Sequence, residues 1–337
     1  MACKSRLHAF KDAKATLGTE ILALSEFALI AKHFAPLARD PAALLLSDDA
    51  CVLRPEPGRE MIVTCDALVA GVHFLATDPP DLIAAKALAV NLSDLAAKGA
   101  EPRGYLMALA LPHTTEDAWL ARFARGLSEA QDRYSTSLLG GDTTATPGPL
   151  TIAITALGTA PVGSMIRRRG ARAGDGIYVS GTIGDAGAGL RILQGTGEGD
   201  AYLVGRYRNP TPRLSLGLAL RGVATASLDV SDGLIADLGH ISDVSSVRLV
   251  VEANRVPLSD ALLRFWPGEE GLLNAVTAGD DYEIAFTAGS DESVAALATK
   301  VGVPLTRIGH VETGSGVVLR DATGKAIAVN RPGYRHF

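Results

Sequence analysis

The chain has 337 residues, of which 47% are hydrophobic, and this is more than one ordinary core requires, so two domains are expected. The net charge of -5 is mild, and the three consecutive arginines at 167–169 are typical of a solvated loop, so we expect no nucleic-acid partner. Three cysteines without a C-x-x-C pair argue against a disulfide framework and a zinc site, and favour a reducing compartment.

The most apolar N-terminal run, at 21–31, is interrupted by Ser25 and Glu26 and is too short for a bilayer span or a signal peptide. We therefore expect a cytoplasmic protein without a membrane partner. Pro and Gly at 161–164 predict a linker between domains. The expected regions are an N-terminal extension over 1–22, a first domain over 23–160 and a second domain over 161–337.

The first predicted elements are short apolar segments followed by aspartates. An amphipathic helix is predicted over 26–34, and apolar runs further on predict strands that end in loops. His73 follows in a loop, where the sequence alone favours a histidine with satisfied hydrogen bonds over a binding residue. The predicted strands lie at 44–46, 50–53 and 61–65, and the aspartates that follow them are Asp48, Asp49 and Asp66.

Residues 82–97 predict a helix, because they are rich in Ala and Leu and contain no Gly or Pro. Asn91, Asp94 and Lys98 are three and four residues apart and therefore share one face, while the rest of the surface is apolar enough to be buried. Taken alone, Asp94 is more typical of a solvated stripe on an amphipathic helix than of a functional carboxylate. Further aspartates in turn-like settings favour the second interpretation, because converging buried carboxylates need a cation.

The next elements repeat the pattern of a strand followed by an acid. A surface helix is predicted over 114–133, and the strand at 138–139 should deliver Asp142 through a turn at Gly140 and Gly141. Such a glycine pair suits a phosphate site and also occurs in plain hairpins. The other strands predicted in this region are 105–111 and 151–158.

In the second half, the Gly-rich run at 181–190 fits neither a dinucleotide-binding motif nor a Walker A motif. A plain strand-to-helix turn and a phosphate site both remain open for it. Asp229 and Asp232 flank a serine at a predicted helix start, where capping explains one acid but not two. The remaining predicted elements are strands at 177–180 and 284–287, and a helix end with a strand over 301–309.

Taken in order, six segments resemble the thiamine-monophosphate kinase family, part of a superfamily that includes aminoimidazole ribonucleotide synthetase and selenophosphate synthetase. The resemblance runs from about Glu26 to Phe337. It implies an α/β (α+β) fold of two domains, with an N-terminal sheet that pairs with its twin in a homodimer and a C-terminal α/β domain. The segments are SDDA at 47–50, CDALVAGVHF at 65–74, AVNLSDLAA at 89–97, GGDTT at 140–144, DVSDGL at 229–234 and GDDYE at 279–283.

The resemblance also implies roles for individual residues, with Mg2+ and ATP as cofactor and co-substrate. The family usually has Glu where this chain has Asp280, and Thr where it has Cys65. A backbone carbonyl would suit magnesium better than the Cys65 thiol. The implied magnesium ligands are Asp49, Asp66, Asp94, Asp142 and Asp229 with Thr64 and Cys65, and Asp232 for a further ion. The implied ATP contacts are Gly141, Asp142, Arg168 and Ser231, and the implied thiamine monophosphate contacts are His73, Asp280 and Tyr334.

The residues themselves agree with phosphoryl transfer between two anionic substrates. Single aspartates on several elements suit magnesium, which keeps waters and substrate oxygens as ligands. A phosphate nucleophile needs no general base, and none is evident, so positioning and electrostatics should carry catalysis. Two alternatives stay open: a superfamily relative that uses ATP to activate an amide or selenide, and a nucleotide-binding regulator without catalysis. The complete set of acids argues against the regulator.

Overall fold

A computed structural model describes residues 25–334, and in it each half of the chain is built around one β-sheet. The expected extension over 1–22 lies outside the described residues. Among the described helices, none has both the length and the apolar composition that a membrane crossing requires.

The first sheet has four strands in the order β1-β4-β2-β3, and β4 runs antiparallel to both of its neighbours while β3 is parallel to β2. One face packs against two helices, and Leu88, Phe123 and Ile154 are buried there. On the other face, alternate residues such as Val63, which is 56% exposed, are not covered by any described helix. The elements are β1 (Arg59–Val69), α2 (Pro80–Ala97), β2 (Glu101–Pro112), α3 (Asp117–Tyr134), β3 (Leu138–Thr146) and β4 (Thr151–Pro161).

The segment before β1 is irregular. It consists of α1 (Glu26–Leu29), a π-helical turn (Ile30–Phe34) and two 3-10 segments (Ala35–Leu37 and Pro41–Leu46). The predicted strands at 44–46 and 50–53 are wrong: Leu44, Leu45 and Leu46 have φ angles of 49°, 58° and 55°, and residues 50–53 belong to no strand. Leu46 and Leu53 instead pack against a small cluster with Leu139 at its centre, so tertiary contacts override the apolar pattern.

The second sheet has seven strands in the order β11-β10-β7-β9-β5-β8-β6, and only the β10–β7 pair is parallel. This architecture, with helices around two sheets, confirms the expected α/β class. The strands are β5 (Gly176–Ser180), β6 (Ala224–Asp229), β7 (Val247–Glu252), β8 (Ile284–Ala288), β9 (Leu305–Thr313), β10 (Val317–Arg320) and β11 (Ala326–Ile327). The helices are α4 (Asp185–Leu193), α5 (Ala201–Arg208), α6 (Leu214–Leu220), α7 (Leu234–Ser245), α8 (Asp260–Phe265), α9 (Gly268–Thr277) and α10 (Asp291–Val301), with a 3-10 turn at Ala253–Arg255.

All three expected acid-bearing strand ends are wrong. Asp48 and Asp49 follow a 3-10 segment, Asp66 lies inside β1 and Asp142 lies inside β3. Asp229, which was expected at a helix start, closes β6. The glycines before Asp142 form no turn, because β3 continues beside β2 up to Thr146. Gly141 allows this close pairing, since a Cβ atom there would lie 1.9 Å from the carbonyl oxygen of Met107.

Helix α2 joins the two halves of the molecule. Gly217 of α6 packs so tightly on it that a Cβ atom would lie 1.9 Å from the Ala96 carbonyl oxygen. Just beyond the helix, Lys98 Nζ donates to the Ser227 carbonyl at 2.8 Å, and Arg221 Nε donates to the Gly99 carbonyl at 2.5 Å. The polar face of α2 is thereby held against the end of β6.

Candidate active site

A cavity of about 1230 Å³ is lined by residues of both halves of the chain. Residues of β1 and α2 contribute to it, as do the loop after β6, the loop before β8 and the C-terminal tail. Most of the residues selected from the sequence come together here. Those that line the cavity are Cys65, Asp66, His73, Asp94, Arg168, Asp229, Ser231, Asp232, Asp280 and Tyr334.

The acidic side of the cavity is built by hydrogen bonds between α2 and β1. Thr64 Oγ1 donates to Asp94 Oδ2, so Thr64 acts on Asp94 and does not itself line the cavity. Asn91 is fully buried, where its Nδ2 donates to the Ala87 carbonyl at 3.0 Å and its Oδ1 accepts from the Asp66 backbone at 3.1 Å. This explains why a polar residue lies on the buried face of the helix.

The acids on this side repel one another. Burial raises the pKa of Asp66 to about 6, and the nearby Asp94 carboxylate adds to the shift. The pKa of Asp229 is also raised, first by burial and then by Asp94, while Ser93 and Lys98 act in the opposite direction. The pKa of Lys98 is itself lowered to about 8, mainly by burial and by Arg168. Buried carboxylates in this state favour a cation between them.

Burial of Asp66, together with the nearby charge of Asp94, gives the metal-free protein a predictable pH dependence. Asp66 has a pKa of 3.8 in the unfolded chain and about 6 in the fold, so between these values the native state binds more protons. The contribution of Asp66 to the free energy of unfolding is fully present below about pH 4, and it is lost as the pH rises through about 6. We expect wild type to lose about 2 kcal/mol of stability relative to Asp66→Asn over this range. Urea unfolding of both proteins in EDTA measures this difference, and parallel pH profiles would contradict it.

The donor set fits magnesium rather than a compact metal cage. Asp66, Asp94 and Asp229 offer oxygen ligands from three separate elements, an arrangement that leaves room for waters and substrate oxygens. Within residues 25–334, a compact cluster of possible metal ligands is formed by other residues. It consists of Asp232, Asp237 and His240, whose ligand atoms all lie within 4.8 Å of one another.

Asp237, which the sequence did not single out, has a structural role at the start of α7. Its Oδ2 accepts hydrogen bonds from the backbone N–H groups of Ser231, Asp232 and Gly233 at 3.0, 3.0 and 3.1 Å. The side chain thus satisfies the donors that a helix start leaves open. It fixes the loop that carries Ser231 and Asp232 into the cavity.

The Gly-rich turn before α4 is a structural turn rather than a phosphate site. Gly184 N donates to Asp281 Oδ2 at 2.6 Å and Ala186 N donates to Asp281 Oδ1 at 3.3 Å, so a carboxylate of the chain occupies the helix start. Glu283 is fully buried and forms ion pairs with Arg206 and Arg213. Of the acids at 280–283, Asp280 is the one that lines the cavity.

The substrate contacts implied by the resemblance line the same cavity. His73 Nδ1 accepts a hydrogen bond from the Val69 N–H at 3.0 Å, which places the proton of the neutral ring on Nε2. The Tyr334 N–H donates to the Asp232 carbonyl at 2.9 Å, and this bond fixes the C-terminal tail to the loop after β6.

Besides Thr64, three of the selected residues do not line the cavity. Asp49 lies in an exposed loop, and Gly141 and Asp142 lie on β3. Asp142 pairs with the exposed Ala108, which places it on the helix-free face of the sheet, at the edge opposite β1. Cys65 does line the cavity, and its thiol accepts a hydrogen bond from Thr155 at 3.4 Å.

A row of cavity residues on α4 and at its C-cap was not predicted from the sequence. A spacing of three and four residues was the available signal, since it places these residues on one helix face. Arg191 is the cation among them, and Asn274 of α9 and Arg331 of the C-terminal tail add further polar groups. The residues of the row are Gly187, Leu190, Arg191 and Gln194.

Comparisons with known proteins agree with this arrangement. Residues 47–160 match the N-terminal domain and residues 172–322 the C-terminal domain of the AIR synthase related proteins. The thiamine-monophosphate kinase of Caulobacter vibrioides is 45% identical over 320 residues, which cover 93% of this chain and 91% of that protein. The chain belongs to the thiamine-monophosphate kinase family. The Escherichia coli K12 member of the family is 40% identical, over 94% of this chain and 99% of that protein.

Solved structures confirm the two-domain fold of the thiamine-monophosphate kinases for this chain. The kinase from Stenotrophomonas maltophilia matches with a TM-score of 0.79 at 40% identity, covering 88% of this chain and 98% of that one. AaThiL complexed with AMPPCP and TMP matches with a TM-score of 0.75 at 30% identity, covering 96% and 100%. The hydrogenase maturation protein HypE in complex with ATP, at 20% identity and a TM-score of 0.75, shares the fold.

Proposed function

We propose that this protein transfers the γ-phosphoryl group of ATP directly to the phosphate of thiamine monophosphate and releases thiamine diphosphate and ADP. The observation that carries the proposal is that one cavity brings the acids Asp66, Asp94 and Asp229 together with His73 and Asp280. Membership of the kinase family supports it, as does the complex of AaThiL with AMPPCP and TMP.

The residues of the chain supply positioning and electrostatics. Arg168 and Ser231 would bind the phosphates of ATP, and Asp66, Asp94 and Asp229 would hold magnesium, with the Cys65 carbonyl and Asp232 as further ligands. Bound magnesium would neutralise phosphate charge, so that two anionic substrates can approach each other. The acceptor phosphate is already deprotonated, and the chain therefore needs neither a general base nor a covalent nucleophile.

We also propose that the working molecule is a cytoplasmic homodimer, with ATP and magnesium binding and dimerisation in 23–160 and a covering domain in 161–337. The helix-free face of the first sheet, with Val63 and Met61 exposed, would lie at the dimer interface. Asp142 is on this face and Gly141 precedes it on the edge strand β3, so a second chain would allow them to complete a site that one chain leaves without them.

The fate of labelled phosphate tests the reaction. After incubation with γ-labelled ATP, magnesium and thiamine monophosphate, we expect the label in thiamine diphosphate, one ADP per product and no label on the protein, because no covalent carrier is required. An amide-activating relative would leave the label in free phosphate with ADP, and a selenophosphate synthetase would produce AMP. Either result, or no consumption of ATP, would overturn the proposed function.

A further inference from the structure

Helix α2 carries a buried lysine, Lys86, that has no role in the proposed reaction as described above. Lys86 is only 2% exposed, and its Nζ lies 3.2 Å from Asp280 Oδ1 and 3.8 Å from the centre of the Tyr207 ring. Burial lowers the pKa of Lys86, and Asp280 acts in the opposite direction. An ammonium group at such a depth is costly unless a specific carboxylate compensates it.

The carboxylate beside it is held through one oxygen only. Asp280 Oδ1 is next to the Lys86 ammonium and also accepts from the Tyr282 hydroxyl at 3.2 Å. The Asp280 backbone N–H donates to the Ser231 carbonyl at 2.9 Å, so the main chain is fixed as well. Within residues 25–334, Oδ2 receives no hydrogen bond, and Asp280 lines the cavity.

Stability does not account for this arrangement. A buried ion pair is often no more stabilising than apolar residues of the same volume, because both charges lose their hydration. Asp280 and Tyr282 also adopt φ angles of 70° and 51°, which cost non-glycine residues about 1 kcal/mol or more each. Strained residues around a buried charge beside a cavity are typical of a binding site.

The surroundings of Lys86 keep its ammonium in place. Tyr207 covers it from α5, and the next residue, Arg208, donates to the buried Asp78 at 2.6 Å. On the other side of Tyr207, Arg206 binds Glu283 at 2.8 Å, three residues after Asp280. The lysine of the first domain is therefore enclosed by a helix that is anchored to both halves of the chain.

We propose that Lys86 is a positioning residue for the acceptor substrate: it holds Asp280 Oδ1 so that Oδ2 faces the cationic organic half of thiamine monophosphate. This inference rests on the proposed function. Without the ammonium, Oδ1 loses its charged partner and the carboxylate can turn away from the substrate. The thiazolium and aminopyrimidine groups would then lose an acceptor that the fold orients in advance.

A double-mutant cycle on the full-length protein tests the inference. Lys86→Met should raise KM for thiamine monophosphate about tenfold to a hundredfold, while KM for ATP and kcat change by less than about threefold. Asp280→Asn should have a similar effect. Because Lys86 acts through Asp280, the double variant should bind thiamine monophosphate no more weakly than Asp280→Asn alone.

The controls separate positioning from folding. Lys32→Met removes a surface lysine that is 52% exposed and paired with Asp117, far from the cavity, and should change none of these constants. If Lys86→Met does not bind AMPPCP as wild type does, Lys86→Gln replaces it in the cycle. An unchanged KM for thiamine monophosphate, additive losses in the double variant, or equal losses for ATP would overturn the inference. If labelled phosphate fails to reach thiamine monophosphate in wild type, the proposed function itself is overturned.

Discussion

Replacement of Asp94 by Asn should lower kcat/KM by about a thousandfold or more, which corresponds to about 4 kcal/mol of lost transition-state stabilisation. Asp94 lies on α2 between the acids of β1 and β6 and raises the pKa of both Asp66 and Asp229. Removing its charge takes one ligand from the proposed magnesium site. The Asn side chain keeps an oxygen that can accept the hydrogen bond from Thr64, so the local fold should persist.

The stability of the same variant should change in the opposite sense. In EDTA, the thermal transition of Asp94→Asn should equal or exceed that of wild type, because one of three repelling carboxylates is gone. Asp132→Asn is a matched control, since Asp132 lies on α3 in a surface pair with Arg39 and should affect neither measurement. Activity within tenfold of wild type at ordinary magnesium would remove Asp94 from the metal site.

The central helix of the fold could be predicted from the local sequence pattern. Residues 82–97 could be predicted as a helix because small apolar residues without Gly or Pro leave few alternatives, and the observed helix is Pro80–Ala97. The leucines at 44–46 could not be placed in this way. All three have positive φ angles, and only Leu46 packs against the small cluster that includes Leu139, which is distant in sequence.

In the candidate site, too, local geometry could be predicted from the sequence, whereas contacts between distant segments could not. Helical spacing correctly placed Asn91, Asp94 and Lys98 on one face, because that geometry is local. Asp66 and Asp142 look alike in sequence, as each comes after an apolar strand segment. Strand pairing separates them: Asp66 is opposite the buried Ile154, whereas Asp142 is opposite the exposed Ala108. Register of this kind depends on the neighbouring strands and cannot be read from one segment.

The position of Asp142 leads to a complementation experiment. β1 and β3 are the two edges of the four-stranded sheet, so Asp66 and Asp142 are about 14 Å apart across it and on opposite faces. If one magnesium site uses both, the second acid must come from another chain. Asp94→Asn and Asp142→Asn should each be inactive as homodimers, yet a hybrid dimer of the two should contain one site in which both acids are intact.

We expect the purified hybrid to have about half of the wild-type activity, because the other site carries both substitutions. Two different affinity tags allow its isolation after co-expression, and light scattering should give twice the chain mass of 35.0 kDa for the hybrid and for each parent. A hybrid of wild type and Asp94→Asn, also about half active, is the control for subunit exchange. An inactive hybrid of intact dimeric mass would mean that each chain uses its own Asp94 and Asp142, and a monomeric mass would contradict the dimer itself.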